Sequence, residues 1–429
     1  MNIRKLSVCG MLAAWAALSF GQKLTMDEAI RLAKRNNGNL KAAEQDLIAS
    51  KARRTIAASS FMPVLTPTAT YTDSLRQIPS ATLGNTSVAF TQTSTQAGLT
   101  WRILDTGQRM AQLNAARQSV SAQDAQTQQV LRSLIYDVEV GFLETLRSQE
   151  LEKVATAQLG RSDKVLEQTK ARVSVGDAAR REILQAEADA LNAKVNSINA
   201  KNRTNINSAS LKSIIGLQRD YSTLELEPSS FVPSNDFPAD VDAAVNLGLK
   251  NRPDLISRRK SVESQLNNLR GTELDAGLTW SLDFNYSRQF TPDQSSNRNT
   301  SFLLSYPLFD GGRSKAQVTA ERASVEASKA VLSQTEKNAR SEIESAYLTY
   351  SQDQLRLNAS ELALRAARLN FEAASASQVL KVASLIEVIT AQVSLVTAES
   401  NYIEASYDVQ ISQLKLRLVT GLQMPGEEL

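Results

Sequence analysis

Two short turns are the first places where this sequence could do chemistry: Asp105-Thr-Gly107 and Asp310-Gly-Gly312. A carboxylate, a glycine turn and then a long polar helix is one way to build a phosphate- or cation-binding loop. Glu342 and Glu344 offer a second chemistry, since paired acids can serve a glycosidase. In a heptad-patterned stretch they read instead as solvated charges. The rest of the catalytic repertoire is narrow. The 429 residues contain no His, which removes the usual general base and the commonest metal ligand. The lone thiol, Cys9, lies inside an N-terminal stretch that reads as removable. No catalytic residue, metal or cofactor is expected, and the chain does not read as an enzyme.

The elements that must position those turns begin after residue 21. Residues 1–21 carry a basic start (Arg4, Lys5), an apolar run too short to span a bilayer, and small residues near Ser19 and Gly21. This is the pattern of a secretory signal peptide. Removing Arg4 and Lys5 from 48 basic residues against 45 acidic ones leaves the chain nearly neutral, so no nucleic-acid partner is expected. Aromatics are only 5%, while Ala, Ser, Gln, Leu and Glu dominate, which suits long helices.

The chain is a duplication. "MDEAIRLAKRNNGNL" (26–40) matches "VDAAVNLGLKNRPDL" (241–255) at an offset of 215. Beyond the Asp-X-Gly turns every match, including "EILQAE" (182–187) with "EVITAQ" (387–392), falls at 205. The expected organisation is a first repeat over 22–218, a Pro-rich linker over 219–240, a second repeat over 241–423, and a tail over 424–429. Each repeat opens with a short capped helix, at Thr25 or Asp240, and a second helix, about 39–61 in the first copy. A strand pair follows. In 278–287 Leu278, Trp280, Leu282, Phe284 and Tyr286 alternate with Thr279, Ser281, Asp283, Asn285 and Ser287, a period of two. A strand over 299–309 follows the polar loop "TPDQSSNRN"; the first copy has a weaker pair near 64–76 and 86–103. Trp101, Trp280, Tyr286 and Tyr306 are candidate membrane-interface aromatics. An apolar face with a polar reverse suits a transmembrane barrel with a wet interior, or else one sheet of a soluble sandwich. Four strands cannot close a barrel, so a membrane location demands an oligomer.

After each turn proline disappears for more than a hundred residues, from Pro79 to Pro228 and from Pro307 to Pro425. Residues 108 to about 172 read as one helix of about 97 Å, broken at "RVSVGDAAR" and followed by another to about 215. In 385–418 two seams run side by side: one through Val388, Ala391, Leu395 and Ala398, the other through Ile389, Val396, Ile403 and Ile411. One seam makes a coiled coil; two make a sheet or ring of helices.

The duplication, the leader, "YPLFDGGRSKAQ" (306–317) and "VGD" (175–177) together resemble the outer membrane efflux protein (TolC-like) family, over nearly the whole mature chain. The resemblance implies a mainly α fold with a β membrane part: long α-helical hairpins forming a periplasmic α-barrel, and four strands per chain contributing to a trimeric 12-stranded transmembrane β-barrel. It implies a homotrimer in outer membrane lipid that meets a periplasmic adaptor (membrane fusion) protein and an inner-membrane pump. Asp105, Gly107, Asp310 and Gly312 become structural joints where strand hands over to helix, with the aspartates as N-caps. Arg172, Val175, Gly176, Asp177 and Lys381 map to the adaptor-docking tip. Lys381 stands where the first repeat has Gly176, so the second tip departs from the family pattern. Glu387 and Thr390 map to the tunnel constriction. The expected function is a passive exit duct of a tripartite efflux or type I secretion system; the alternative is a periplasmic coiled-coil adaptor or scaffold.

Overall fold

A computed structural model describes residues 24–80, 84–217, 225–228, 237–380 and 382–428. The signal peptide, most of the linker and Lys381 lie outside them. In chain order come α1 (Met26–Asn36), α2 (Gly38–Ser59), β1 (Val64–Ser80), β2 (Gly84–Leu104), α3 (Gln108–Ser174) and α4 (Arg180–Ile215). The same series repeats as α5 (Val241–Asn251), α6 (Pro253–Asp275), β3 (Thr279–Thr291), β4 (Ser295–Ser305), α7 (Arg313–Val379) and α8 (Leu385–Thr420).

The short helices start where the sequence says they should. The Thr25 hydroxyl accepts from the Glu28 N–H at 3.2 Å, and Asp240 accepts from the Ala243 N–H at 2.6 Å. Helices α3 and α7 have 67 residues each, about 100 Å of rod. Near the strands α3 packs on α2 and α6; nearer the far tip it packs on α4 and α8. Order across the layer is therefore α2–α3–α6–α7 in one half and α4–α3–α8–α7 in the other. The layer is one helix thick. Only at mid-height does a second layer form, where α1 buries Ala29, Ile30 and Ala33 against Ile135, Val138 and Phe142 of α3, and α5 packs Ala244 and Val245 on Ile343 and Leu416. No described helix is long and apolar enough to cross a membrane.

The four strands form one antiparallel sheet in the order β1-β2-β3-β4. Two expectations need correction. The strands of the first repeat are longer than the apolar alternation indicates, and the loop expected over "TPDQSSNRN" shrinks to 292–294 because Gln289 pairs with Ser295. A ladder is held by backbone groups, so it continues past the point where the side chains stop alternating. Registers place Leu65, Tyr71, Leu99, Trp101, Phe284 and Phe302 on one face, and threonines, serines and Asn285 on the other. Asp73 and Arg288 interrupt the apolar face eight residues beyond Leu65 and Trp280. Eight residues are about 27 Å of strand, or about 21 Å after a ~40° tilt, against the ~25 Å apolar band of an outer-membrane barrel.

Candidate functional site

Three places could carry function: the joint between strand and helix, the tip of each helical hairpin, and the wall between them.

At the first joint Asp105 accepts from the Gly107 N–H at 3.0 Å, the Arg109 N–H at 3.3 Å and the Arg109 guanidinium at 2.6 Å. Gly107, at φ +99°, itself occupies the cap position. The expected cap position of Asp105 is thus corrected, though its role in satisfying a free helix N–H stands: the left-handed residue must be Gly, and the carboxylate reaches over it to the Arg109 N–H from two residues upstream. Burial opposes the charge of Asp105, but the bonds from Arg109 and Gly107 outweigh it and hold the carboxyl below the usual carboxylate range. Arg109 is buried. It donates to the carbonyls of Ser60 at 3.0 Å and Arg102 at 2.8 Å, and lies 4.8 Å over the Phe61 ring. Trp101 donates to the Phe61 carbonyl at 3.0 Å, and Thr106 to the Leu274 carbonyl at 2.6 Å. The end of α2, the end of β2 and the end of α6 are so bound into one knot.

The second joint repeats the turn but not the knot. Asp310 accepts from the N–H groups of Gly312 at 3.0 Å and Ser314 at 2.8 Å, and from the Ser314 hydroxyl. Those bonds hold its carboxyl low. Gly312, at φ +87°, again takes the cap position, so the same correction applies. Ser314 stands where Arg109 does, and Leu308 and Phe309 are about 90% exposed. Arg109 was missed in the sequence, although an Arg four residues after the turn aspartate is its signature.

At the first tip α3 ends in a Schellman turn: the Asp177 N–H donates to the Arg172 carbonyl at 2.8 Å across Gly176, at φ +76°. Arg172 holds the Asp177 carboxylate at 3.3 Å and comes within 4.0 Å of Glu182. Arg172, Val175, Gly176 and Asp177 thus form one exposed turn, with Glu182 an unanticipated member. At the second tip the Val382 N–H donates to the Ser377 carbonyl at 2.9 Å, the same bond. Here the surface is aliphatic: Val379, Leu380 and Val382 are 75–83% exposed. Glu387 is exposed, but its carboxylate turns back to accept from the Ser384 N–H, while the Ser384 hydroxyl caps the Glu387 N–H, both at 3.3 Å. Thr390, one turn further along α8, donates to the Ile386 carbonyl at 2.8 Å.

Polar contacts between residues 27 to 261 positions apart join the wall. Gln392 donates to Ser162 at 2.8 Å, and Ser162 to Asp189 at 2.6 Å. Asp408 receives both Arg147, at 2.8 Å, and Arg356. Glu342, one of the two acids considered for catalysis, is held by Lys415 at 2.6 Å and Arg252 at 2.8 Å. Burial opposes its charge, yet these cations hold its carboxyl below the usual range, the reverse of what a general acid needs. Glu139 is the opposite case: burial pushes it up to about 8.

Trp101, Trp280 and Tyr286 lie on the apolar face of the sheet, each about 37% exposed, and Tyr306 lies just past β4 at 59%.

A one-layer wall of hundred-ångström helices, joined through glycine turns to an open sheet with an apolar face, defines a channel-forming outer-membrane protein. The family model described as Outer membrane efflux protein matches residues 29–217 and 244–422, and the chain belongs to that family. This is a family of outer-membrane channels, not of enzymes, and it places the protein in the outer membrane. Among solved structures, the outer-membrane channel OprN is 18% identical, with a TM-score of 0.80 over 93% of this chain and 90% of that one. The Campylobacter jejuni CmeC outer membrane channel is 16% identical, with a TM-score of 0.82 over 92% and 85%. The outer membrane protein VceC of Vibrio cholerae is 18% identical, with a TM-score of 0.81 over 93% and 97%. At such identities the likeness is one of fold. No curated protein sequence matches the chain.

Proposed function

We propose that this protein is the exit duct of a tripartite efflux or type I secretion system, a homotrimer that passively conducts substrates from an inner-membrane pump through the periplasm to the outside. One observation carries the reading: the chain exposes 27446 Å². A folded monomer of its 46.8 kDa is expected to expose about 16,000 Å². A one-layer wall segment leaves its faces and edges bare, and much of that surface is apolar, as at Leu355, Leu362, Tyr71 and Phe302. Three copies, the number the family resemblance implies, supply twelve strands, above the minimum of about eight for a barrel. The apolar sheet face also argues against a soluble coiled-coil scaffold.

In this reading Arg172, Val175, Gly176, Asp177 and Lys381 meet a periplasmic adaptor, Glu387 and Thr390 line the constriction, and Trp101, Trp280, Tyr286 and Tyr306 sit at the lipid interface. Cell fractionation with mass measurement in detergent tests it. The expected result is recovery only with detergent, at three times the chain mass, with an adaptor in the pull-down. Recovery in the soluble periplasm, or a monomer mass in detergent, overturns it.

A further inference from the structure

We infer the register of the seam between copies, and with it the residues that close the ring. This rests on the ring reading above. Among the described residues the main packing of one repeat on the other is in three places: β2 on β3, α3 on α6, and α3 on α8. Each contact joins an element of the first repeat to one of the second. Each has a counterpart that the single chain leaves open: β4 to β1, α7 to α2, and α7 to α4 of the next copy. Every contact the chain makes between its repeats can therefore be carried forward by the repeat offsets to give the contact it lacks.

In the sheet the turns and the pairing together give the offsets. Asp105 and Asp310 set β2 to β4 at 205, and Val64 facing Thr100 while Thr279 faces Ser305 makes the two offsets sum to 420, so β1 maps to β3 by 215. Carried forward, the pair Ala97–Tyr286 becomes Phe302 opposite Tyr71 of the next copy. Likewise Leu99–Phe284 becomes Leu304 opposite Ala69, and Leu104–Trp280 becomes Phe309 opposite Leu65. Exposure agrees. On the central strands Trp101, Trp280, Phe284 and Tyr286 are 37–38% exposed, whereas on the edge strands Tyr71 and Phe302 are 69% and 64%. The difference is the cover that one missing neighbouring strand provides.

The helices give an independent check. Ser162 faces Gln392 and Arg147 faces Asp408. Shifted by 205, these place Ala367 level with Glu187, and Gln352 level with Arg203, of the next copy. On that register Leu348, Leu355, Leu362 and Leu369 of α7 fall level with Ile206, Ile198, Leu191 and Leu184 of the next α4. All eight are 57–69% exposed. The α8 residues one offset above those α4 positions are Ile411, Ile403, Val396 and Ile389, which are part-buried within the chain. The α8 half of the seam, part-buried inside the chain, thus recurs uncovered on α4 at its edge, where its partner is a second copy.

Paired cysteines read the register directly, since the only native cysteine, Cys9, lies in the leader. Opposed residues across a ladder have Cβ atoms about 4.5–5.5 Å apart and next-but-one residues about 7–8 Å, so a slipped register loses the bond. In the full-length protein purified in detergent, Tyr71→Cys with Phe302→Cys, and separately Ile198→Cys with Leu355→Cys, are expected to oxidise to cross-linked trimers. Tyr71→Cys with Leu304→Cys, slipped by two, is expected to give at most a tenth of the yield. Cross-linking of the slipped pair in preference, or of no pair in protein that is a trimer by mass, overturns the register and leaves the ring standing. A monomer mass for the uncross-linked wild type overturns the ring reading itself.

Discussion

Glu139 sits in α3 among Ile135, Val138 and Phe142, is 2% exposed, and has one carboxylate oxygen without a partner among the described residues. Burial pushes it up to about 8 from its ordinary value of 4.5; Arg417 opposes the shift and Asp27 adds to it. The folded state therefore favours the protonated acid. Because its folded value lies above its unfolded one, the stabilisation is complete below about pH 4.5 and is lost progressively as pH rises to about 8. At about 1.36 kcal/mol per unit the full loss is roughly 5 kcal/mol, of which roughly 3 kcal/mol has gone by pH 7. Glu139→Gln removes the titration while keeping the shape. In denaturant unfolding of the detergent-solubilised protein, the variant should match wild type near pH 4, exceed it by roughly 3 kcal/mol at pH 7, and exceed it further at pH 9. Equal pH slopes for the two proteins between pH 5 and 9, or a variant less stable at pH 9, would refute the reasoning.

Other outcomes follow from the joints, the mid-height layer and the tip. Arg109→Ala strips a buried ion pair of its cation and should cost about 3–5 kcal/mol, whereas Ser314→Ala at the equivalent part-buried position should cost about 1 kcal/mol; calorimetry showing equal losses would contradict the knot at the first joint. Gly248→Ala would set a Cβ 2.5 Å from Ile343 Cδ1 and 2.9 Å from the Val419 carbonyl. It should cost about 1–3 kcal/mol and expose α5 to limited proteolysis; an unchanged cleavage pattern counts against that packing. Gly176→Ala meets no atom within 4 Å, so its strain of about 1–2 kcal/mol stays in the turn. Export should fall while the melting temperature drops by no more than about 4 °C, and a larger drop would show that the turn is part of the core.

Much of this architecture is legible without coordinates because it is local and periodic. Helix lengths follow from where proline is absent, the β face of 278–287 from a period of two, and the joints from glycines that must take positive φ. The duplication makes each reading available twice. The joints also show where such reading stops. The same Asp-X-Gly turn is a buried knot at Arg109 and an open corner at Ser314, and the difference lies in Ser60, Phe61 and Leu274, none of them adjacent in sequence to the turn they bind.

The repeat, the helix and strand periods, the two faces of the sheet and the need for more than one copy are all written in the sequence, since each is a local pattern and the repeat is the same local pattern met twice. Tertiary structure alone decided which helices neighbour each other, that Glu342 is neutralised by Arg252 and Lys415, that Glu139 loses its water, and which leucines remain bare along α7 and α4. Those depend on free energies of desolvation and packing between segments 73 to 261 residues apart, and a period along one helix does not reveal what stands opposite it.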